Sequence, residues 1–236
     1  MDHTNTPKPK EKIVTISIAY GKTENVINSL SRLNIRLNKG EMENYNRLKF
    51  ANNRRDYLAA HLLSRYCINI LTNEDIHEIE LNQHCASCGG KHGKPEVIYP
   101  VNTFVSWSHT SGYVASISAY KPVGIDIEKK DQLLDAKFGE SFLSKLEIEK
   151  ISLTDSKDVS IELYKLWVMK ESLIKLGLFK IDQMRDICLT SNTNLYFHDK
   201  KKYAFFDLDL TSSYFMGSAV YEIEEGVLDK VLLTHL

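Results

Sequence analysis

Two short stretches carry residues whose types and spacing suit phosphate and metal chemistry. In "GIDIE" (124–128) a strand would put Asp126 and Glu128 on one face, because side chains repeat every second residue. In "WVMKESLIK" (167–175) a helix would place Lys175 one turn beyond Glu171 on the same side. At 100° per residue, Leu163, Leu166, Trp167 and Ile174 form an apolar stripe, yet Lys170 falls in its middle, and Glu171 projects between Trp167 and Tyr164. An unpaired charge among aromatics costs several kcal/mol, so a metal, a phosphate or an opposite charge is expected beside it. Three carboxylates, Asp126, Glu128 and Glu171, would suit Mg²⁺, which takes a few carboxylates together with water and phosphate oxygens. The plain alternatives stay open at this point. They are an amphipathic strand with its acidic face in water, and a surface Glu-to-Lys pair worth about 0.2–0.5 kcal/mol.

The surrounding pattern must bring these two stretches together. "IVTISIAY" (13–20) reads as a first strand, "TENVINSLSRLNIRLNKGEMENYNRLKF" as helical text broken at Gly40, and 53–71 as a clear amphipathic helix. Short β-like runs follow near 77–81, 97–101, 103–107 and 113–120. After Pro122 the order restarts. The strand "VGIDIE" is followed by helical text at 131–139 and 141–152, a long helix at 160–177, and strands near 186–190, 194–197, 202–208 and 213–223. Each half therefore reads as strand, helices, one long helix, then several strands. That order predicts an α+β fold of two similar lobes in pseudo-twofold arrangement, each with a small, mostly antiparallel sheet and a long helix. The expected divisions are a flexible N-terminus over 1–12, an N-terminal lobe over 13–121 and a C-terminal lobe carrying the metal site over 122–236. A cleft between lobes is a natural ligand site.

Composition narrows the function classes. The chain has 236 residues, 43% hydrophobic and 26% charged, with Lys+Arg 30 against Asp+Glu 31 and a net charge of -1, so no global basic footprint argues for nucleic acid. The opening "MDHTNTPKPKEK" is neither a secretory signal nor an anchor, and nothing reaches the roughly 18 consecutive apolar residues of a membrane span. Four cysteines, Cys67, Cys85, Cys88 and Cys188, lack the density of a disulfide scaffold; with no leader, a reducing cytoplasm is expected. His84, Cys85, Cys88 and His92 have spacings open to zinc, but a complete ribbon needs a second cysteine pair that the sequence lacks.

Taken together, "RLKFANNRRDYLAAHLLSR" (47–65), "GKP" (93–95), "SWSHTSGYVA" (106–115), "GIDIE" (124–128) and "WVMKESLIK" (167–175) resemble, in this chain order, five segments of the Sfp-type 4'-phosphopantetheinyl transferases. The resemblance covers most of residues 40–180. It implies a two-lobed enzyme that moves 4'-phosphopantetheine from coenzyme A to a serine of an acyl or peptidyl carrier protein, releasing 3',5'-ADP. Such carriers serve nonribosomal peptide, polyketide or fatty acid synthesis. It further implies Mg²⁺ held by Asp126, Glu128 and Glu171, with Glu171, Lys175 and Asp126 as the catalytic set and Glu171 as ligand, general base or both. Lys175 would steady the pyrophosphate. His109, with Ser108 beside it, would meet the nucleotide phosphates; Lys94, stiffened by Pro95, the nucleotide; and Arg54 and Arg55 the 3'-phosphate. Lys170 is open between phosphate and a structural acidic partner.

The sequence departs from the family pattern at two places. Asn44 stands where many relatives carry a basic residue, which leaves Arg47 as a substitute for the 3'-phosphate contact, and Ser106 stands where Asn is usual. Carrier docking is expected at the cleft rim over about 131–152, where Phe138, Phe142 and Leu143 are either contacts or core. Lys129 and Lys130 read as solvated charge, or more boldly as a carrier contact. A monomer in the cytoplasm is expected, without nucleic acid or membrane as partner. Two other functions remain open: a non-catalytic module that binds coenzyme A and carrier proteins, and a Mg²⁺-dependent phosphohydrolase.

Overall fold

The computed structural model describes residues 15–83, 93–189, 194–208, 215–224 and 229–236. The His84, Cys85, Cys88 and His92 stretch lies outside them, as does the N-terminus over 1–12. The first half runs β1 (Ile16–Lys22), α1 (Thr23–Leu30), α2 (Lys39–Arg47), α3 (Ala51–Thr72), β2 (Glu80–Gln83), β3 (Pro95–Tyr99), β4 (Phe104–Thr110) and β5 (Tyr113–Ala119). The second runs β6 (Val123–Lys129), α4 (Ala136–Gly139), α5 (Lys145–Ser152), α6 (Ser156–Leu176), β7 (Leu195–His198), β8 (Lys201–Leu208), β9 (Phe215–Ile223) and β10 (Val231–His235).

The expected duplication is visible in the strand order. One sheet is ordered β10-β1-β5-β4 and another β6-β9-β8-β7, so the antiparallel set β1-β5-β4 recurs as β6-β9-β8. Helix α3 lies on the first sheet and α6 on the second. Apolar side chains of β1 and β5, including Ile18 and Ile117, share one buried cluster with Ile125 and Ile127 of β6, so the two halves meet through continuous core. The last strand does not stay with the second sheet. β10 returns to pair in parallel with β1, so a boundary at 122 separates it from the sheet it completes.

Both halves lock their long helix with the same device. Asn38 and Glu41 form a reciprocal capping box at the start of α2, and Ser144 and Glu147 form one at the start of α5. Each capping glutamate is also buried against a cation of the long helix. Glu41 accepts two hydrogen bonds from Arg65 of α3, at 2.9 and 2.8 Å, and one from His61 Nδ1 at 2.9 Å. Burial alone would raise the Glu41 pKa; the His61 bond and Arg65 outweigh it and leave the carboxyl below its ordinary value. Glu147 accepts from Lys170 of α6 at 2.6 Å and from the Leu189 amide at 2.9 Å.

This device decides the open question about Lys170. It is 0% exposed, and its ammonium also donates to the carbonyls of Phe142, Met184 and Ile187 at 2.9, 3.2 and 2.8 Å. It is a structural cation. It also explains why 186–189, the described part of the strand expected over 186–190, is not a strand. A 3-10 turn at Ile181–Asp186 leads into irregular chain through 189, because the carbonyls of 184 and 187 and the amide of 189 face Lys170 and Glu147 rather than a neighbouring strand.

Other departures are local. Gly40 sits in the first turn of α2 rather than breaking a helix. The break falls before Asn38, after Asn34 turns left-handed at φ 50. The helical text at 131–139 shortens to α4, capped by Asp135. Phe142 and Leu143 are core at 2% and 1% exposure, whereas Phe138 is 42% exposed.

α6 approaches β6 unusually closely. A Cβ on Gly124 would lie 1.9 Å from the Ser172 carbonyl oxygen and 2.7 Å from the Leu176 nitrogen, both backbone atoms that cannot rotate away. Gly124→Ala is therefore expected to cost at least about 3 kcal/mol, the upper end for overpacking, and chemical denaturation measures it; a loss below 1 kcal/mol would show that the helix yields freely. Lys170→Met, which leaves Glu147 buried without its cation, is expected to cost about 3–5 kcal/mol in the same measurement. A Lys170→Met protein as stable as wild type would contradict the structural role.

Candidate active site

The two stretches singled out in the sequence meet where α6 crosses β6. Asp126 on β6 is 3% exposed. Its Oδ1 accepts from Lys175 of α6 at 2.6 Å and from the Ser108 hydroxyl of β4 at 2.9 Å. One carboxylate oxygen thus gathers three elements and both lobes. The other, Oδ2, is buried without a hydrogen-bond partner among the described residues. A buried carboxylate oxygen without a partner is costly unless something positive arrives there.

Glu128 and Glu171 complete the acidic group. Desolvation, then the charge of Asp126, pushes the Glu171 carboxyl above its ordinary range, with Lys175 opposing and Glu128 adding. Glu128 is raised in the same way by desolvation and then by Asp126, with Lys175 and a hydrogen bond from the Trp167 indole opposing. Three carboxylates, with Asp126 disfavouring the charge of the other two and Glu128 that of Glu171, beside one lysine, have the donor chemistry of a hard divalent cation site. Among the described residues no group of three His, Cys, Asp or Glu side chains is already arranged as a metal cage. Lys175 stands on Asp126 instead, so a cation would have to displace or share with it. On the unpartnered Oδ2 and the all-oxygen donor set, the residues fit Mg²⁺.

His109, also on β4, points its electrostatics at the same place. It is exposed at the surface, yet enough protein crowds the ring that desolvation lowers the imidazole pKa, with Asp56 opposing and Lys175 and His61 adding. The ring therefore lies within the fields of both long helices. Asp56 is fixed by Thr23 Oγ1 at 2.5 Å and the Gly112 amide at 3.3 Å. Lys94 crosses between lobes, donating to the Leu176 carbonyl at 2.7 Å beside the left-handed C-cap Gly177 of α6. A cation at a helix C-terminus is favoured by the exposed carbonyls. Partial desolvation lowers the Lys94 pKa, with Glu96 opposing. Pro95, next to it, opens β3.

Arg54 and Arg55 are in the first turn of α3 but carry protein partners: Arg54 donates to the Leu48 carbonyl at 2.8 Å, and Arg55 pairs with Glu24. No described bond ties either to the acidic group. Asn44 lies near Tyr57, whose pKa burial raises to about 12 with an Asn44 hydrogen bond opposing. Lys129 pairs loosely with Asp131 at 3.5 Å, as solvated charge does.

Sequence reasoning did not find the Ser108 link to Asp126 or the Trp167 bond to Glu128. Trp167 was visible only as part of an apolar stripe, and Ser108 only as a neighbour of His109. Ser106, the other departure from the family pattern, accepts from the Ile125 amide at 3.3 Å and touches no member of the acidic group.

No curated protein matches the chain. The family model described as the 4'-phosphopantetheinyl transferase superfamily matches residues 122–220, a stretch that contains β6, α6 and all three acidic residues. Residues 122–220 therefore form a 4'-phosphopantetheinyl transferase superfamily domain.

Proposed function

We propose that the protein transfers 4'-phosphopantetheine from coenzyme A to a serine hydroxyl of an acyl or peptidyl carrier protein, with Mg²⁺, releasing 3',5'-ADP. The observation that carries this reading is Asp126, anchored by Oδ1 to both lobes with Oδ2 buried and unpartnered, beside two carboxylates whose charges it disfavours. Asp126, Glu128 and Glu171 would hold the cation. When bound, Mg²⁺ would neutralise charge building on the pyrophosphate oxygens as the phosphoanhydride breaks.

The chain's own residues do the remainder. The serine oxygen bonds to the phosphorus bearing pantetheine, the bond from that phosphorus to the 3',5'-ADP oxygen breaks, and the serine proton leaves to Glu171 directly or through a water. A carboxyl with a raised pKa is the better proton acceptor at neutral pH. Lys175 releases Asp126 and meets the pyrophosphate as a compact cation. His109, Lys94 with Pro95, and the α3 start with Arg54 and Arg55 hold the nucleotide phosphates and sugar, where the helix N-terminus favours anions. Arg55 must leave Glu24 to do so.

Both lobes contribute to the site within one chain, which supports action as a monomer. No helix among the described residues is long and apolar enough to cross a membrane. Leu133 and Phe138, 95% and 42% exposed on the stretch after β6, are the apolar contacts offered to the carrier.

Mass spectrometry of an apo carrier incubated with the protein, Mg²⁺ and coenzyme A tests the reading. One phosphopantetheine is expected on the carrier, lost on chelation and slowed by about 10²-fold or more in Glu171→Gln and in Asp126→Asn. Unmodified carriers from several pathways would overturn it. Free phosphopantetheine appearing without carrier would mark a hydrolase, and tight coenzyme A binding with no turnover would mark a binding module.

A further inference from the structure

β4 offers two buried serines to β6, two residues apart and so on one face of the strand. Ser106 holds backbone, accepting from the Ile125 amide at 3.3 Å. Ser108 holds a side chain, donating to Asp126 Oδ1 at 2.9 Å. Family resemblance placed Ser108 beside the nucleotide phosphates, but its hydroxyl is directed across the lobe boundary at a carboxylate. Among the described residues Asp126 Oδ1 has one other side-chain partner, Lys175 at 2.6 Å. That side chain is 31% exposed and long, and on the reading above it moves to the pyrophosphate. Ser108 is 7% exposed on a short stem and has nowhere comparable to go. Once Lys175 leaves, Ser108 is the described side chain that still fixes how the Asp126 carboxylate is turned.

We propose that Ser108 is a positioning residue of the cation site: by holding Asp126 Oδ1 it presents the buried, unpartnered Oδ2 to a divalent cation, so that the first lobe sets the metal affinity of the second. The proposal rests on the cation-site reading of Asp126, Glu128 and Glu171. A hydrogen bond that orients a liganding carboxylate typically carries about 10–100-fold in metal affinity.

Mn²⁺ titration of the coenzyme-free protein, with free Mn²⁺ counted by electron paramagnetic resonance, tests it. Ser108→Ala is expected to weaken Mn²⁺ about tenfold. Ser108→Thr, which keeps the hydroxyl, should restore most of the affinity, and Ser106→Ala should leave it unchanged. At saturating Mg²⁺ the KM for coenzyme A should be that of wild type in Ser108→Ala. Thermal unfolding without metal confirms that Ser108→Ala is folded; Ser108→Thr against Ser108→Ala gives the same comparison at similar burial. Wild-type Mn²⁺ affinity in Ser108→Ala would overturn the proposal. So would a raised KM for coenzyme A at saturating Mg²⁺, which would return Ser108 to the phosphates. A wild-type protein that binds no Mn²⁺ would overturn the cation-site reading beneath it, a distinct result.

Discussion

The backbone of α6 rests on the backbone of β6, and only the hydrogen at position 124 permits it. Every feature of the site follows from that contact. Ser172, small and buried, presents its carbonyl to Gly124, so Glu171 and Lys175, on either side of it along the helix, are brought over the strand that carries Asp126 two residues on. A side chain at 124 would hold the helix off the strand. The 2.6 Å contact between Lys175 and Asp126 would open, and Glu171 would leave the field of Asp126.

Such a contact needs a rigid helix, and α6 is held by charge as well as by packing. Lys170, on the apolar side, is tied to Glu147 and three carbonyls, and α3 is tied through Arg65 and His61 to Glu41. Two charges taken from water recover the cost only when their remaining bonding capacity is filled; Lys170 and Glu147 meet that condition through three carbonyls and the Leu189 amide, and both halves use a capping-box glutamate already fixed at a helix start. Leucine and phenylalanine around Lys170 could have packed as well. The ion pair adds register, since Lys170 can meet Glu147 in only one axial position of α6.

Sequence and structure divide along a physical line. Local periodicity made α3, α6, β5 and β6 legible, and with them the common face of Asp126 and Glu128. Lys170 announced itself as a charge in an apolar stripe, but its partner stands 23 residues upstream, beyond any local pattern, so phosphate and ion pair were equally consistent with it. The same distance effect hid Ser108, 18 residues from Asp126, and β10, whose parallel mate is at the other end of the chain. The 186–190 stretch has strand-like composition, but its described residues 186–189 are not a strand, because backbone groups there are claimed by Lys170 and Glu147. The reason for glycine in "GIDIE" was invisible in the motif itself, for it lies in the helix that lands there.

The central claim is that β6 and α6 build one cation site, with β4 at its edge. Paramagnetic broadening by Mn²⁺ on ¹⁵N-labelled protein tests it most directly. Amides of 125–129, 168–176 and 107–109 should bleach together at one Mn²⁺ equivalent, and remain sharp in Glu171→Gln at the same concentration. Broadening confined to one of these segments, or centred on the capping glutamates Glu41 and Glu147, would contradict it.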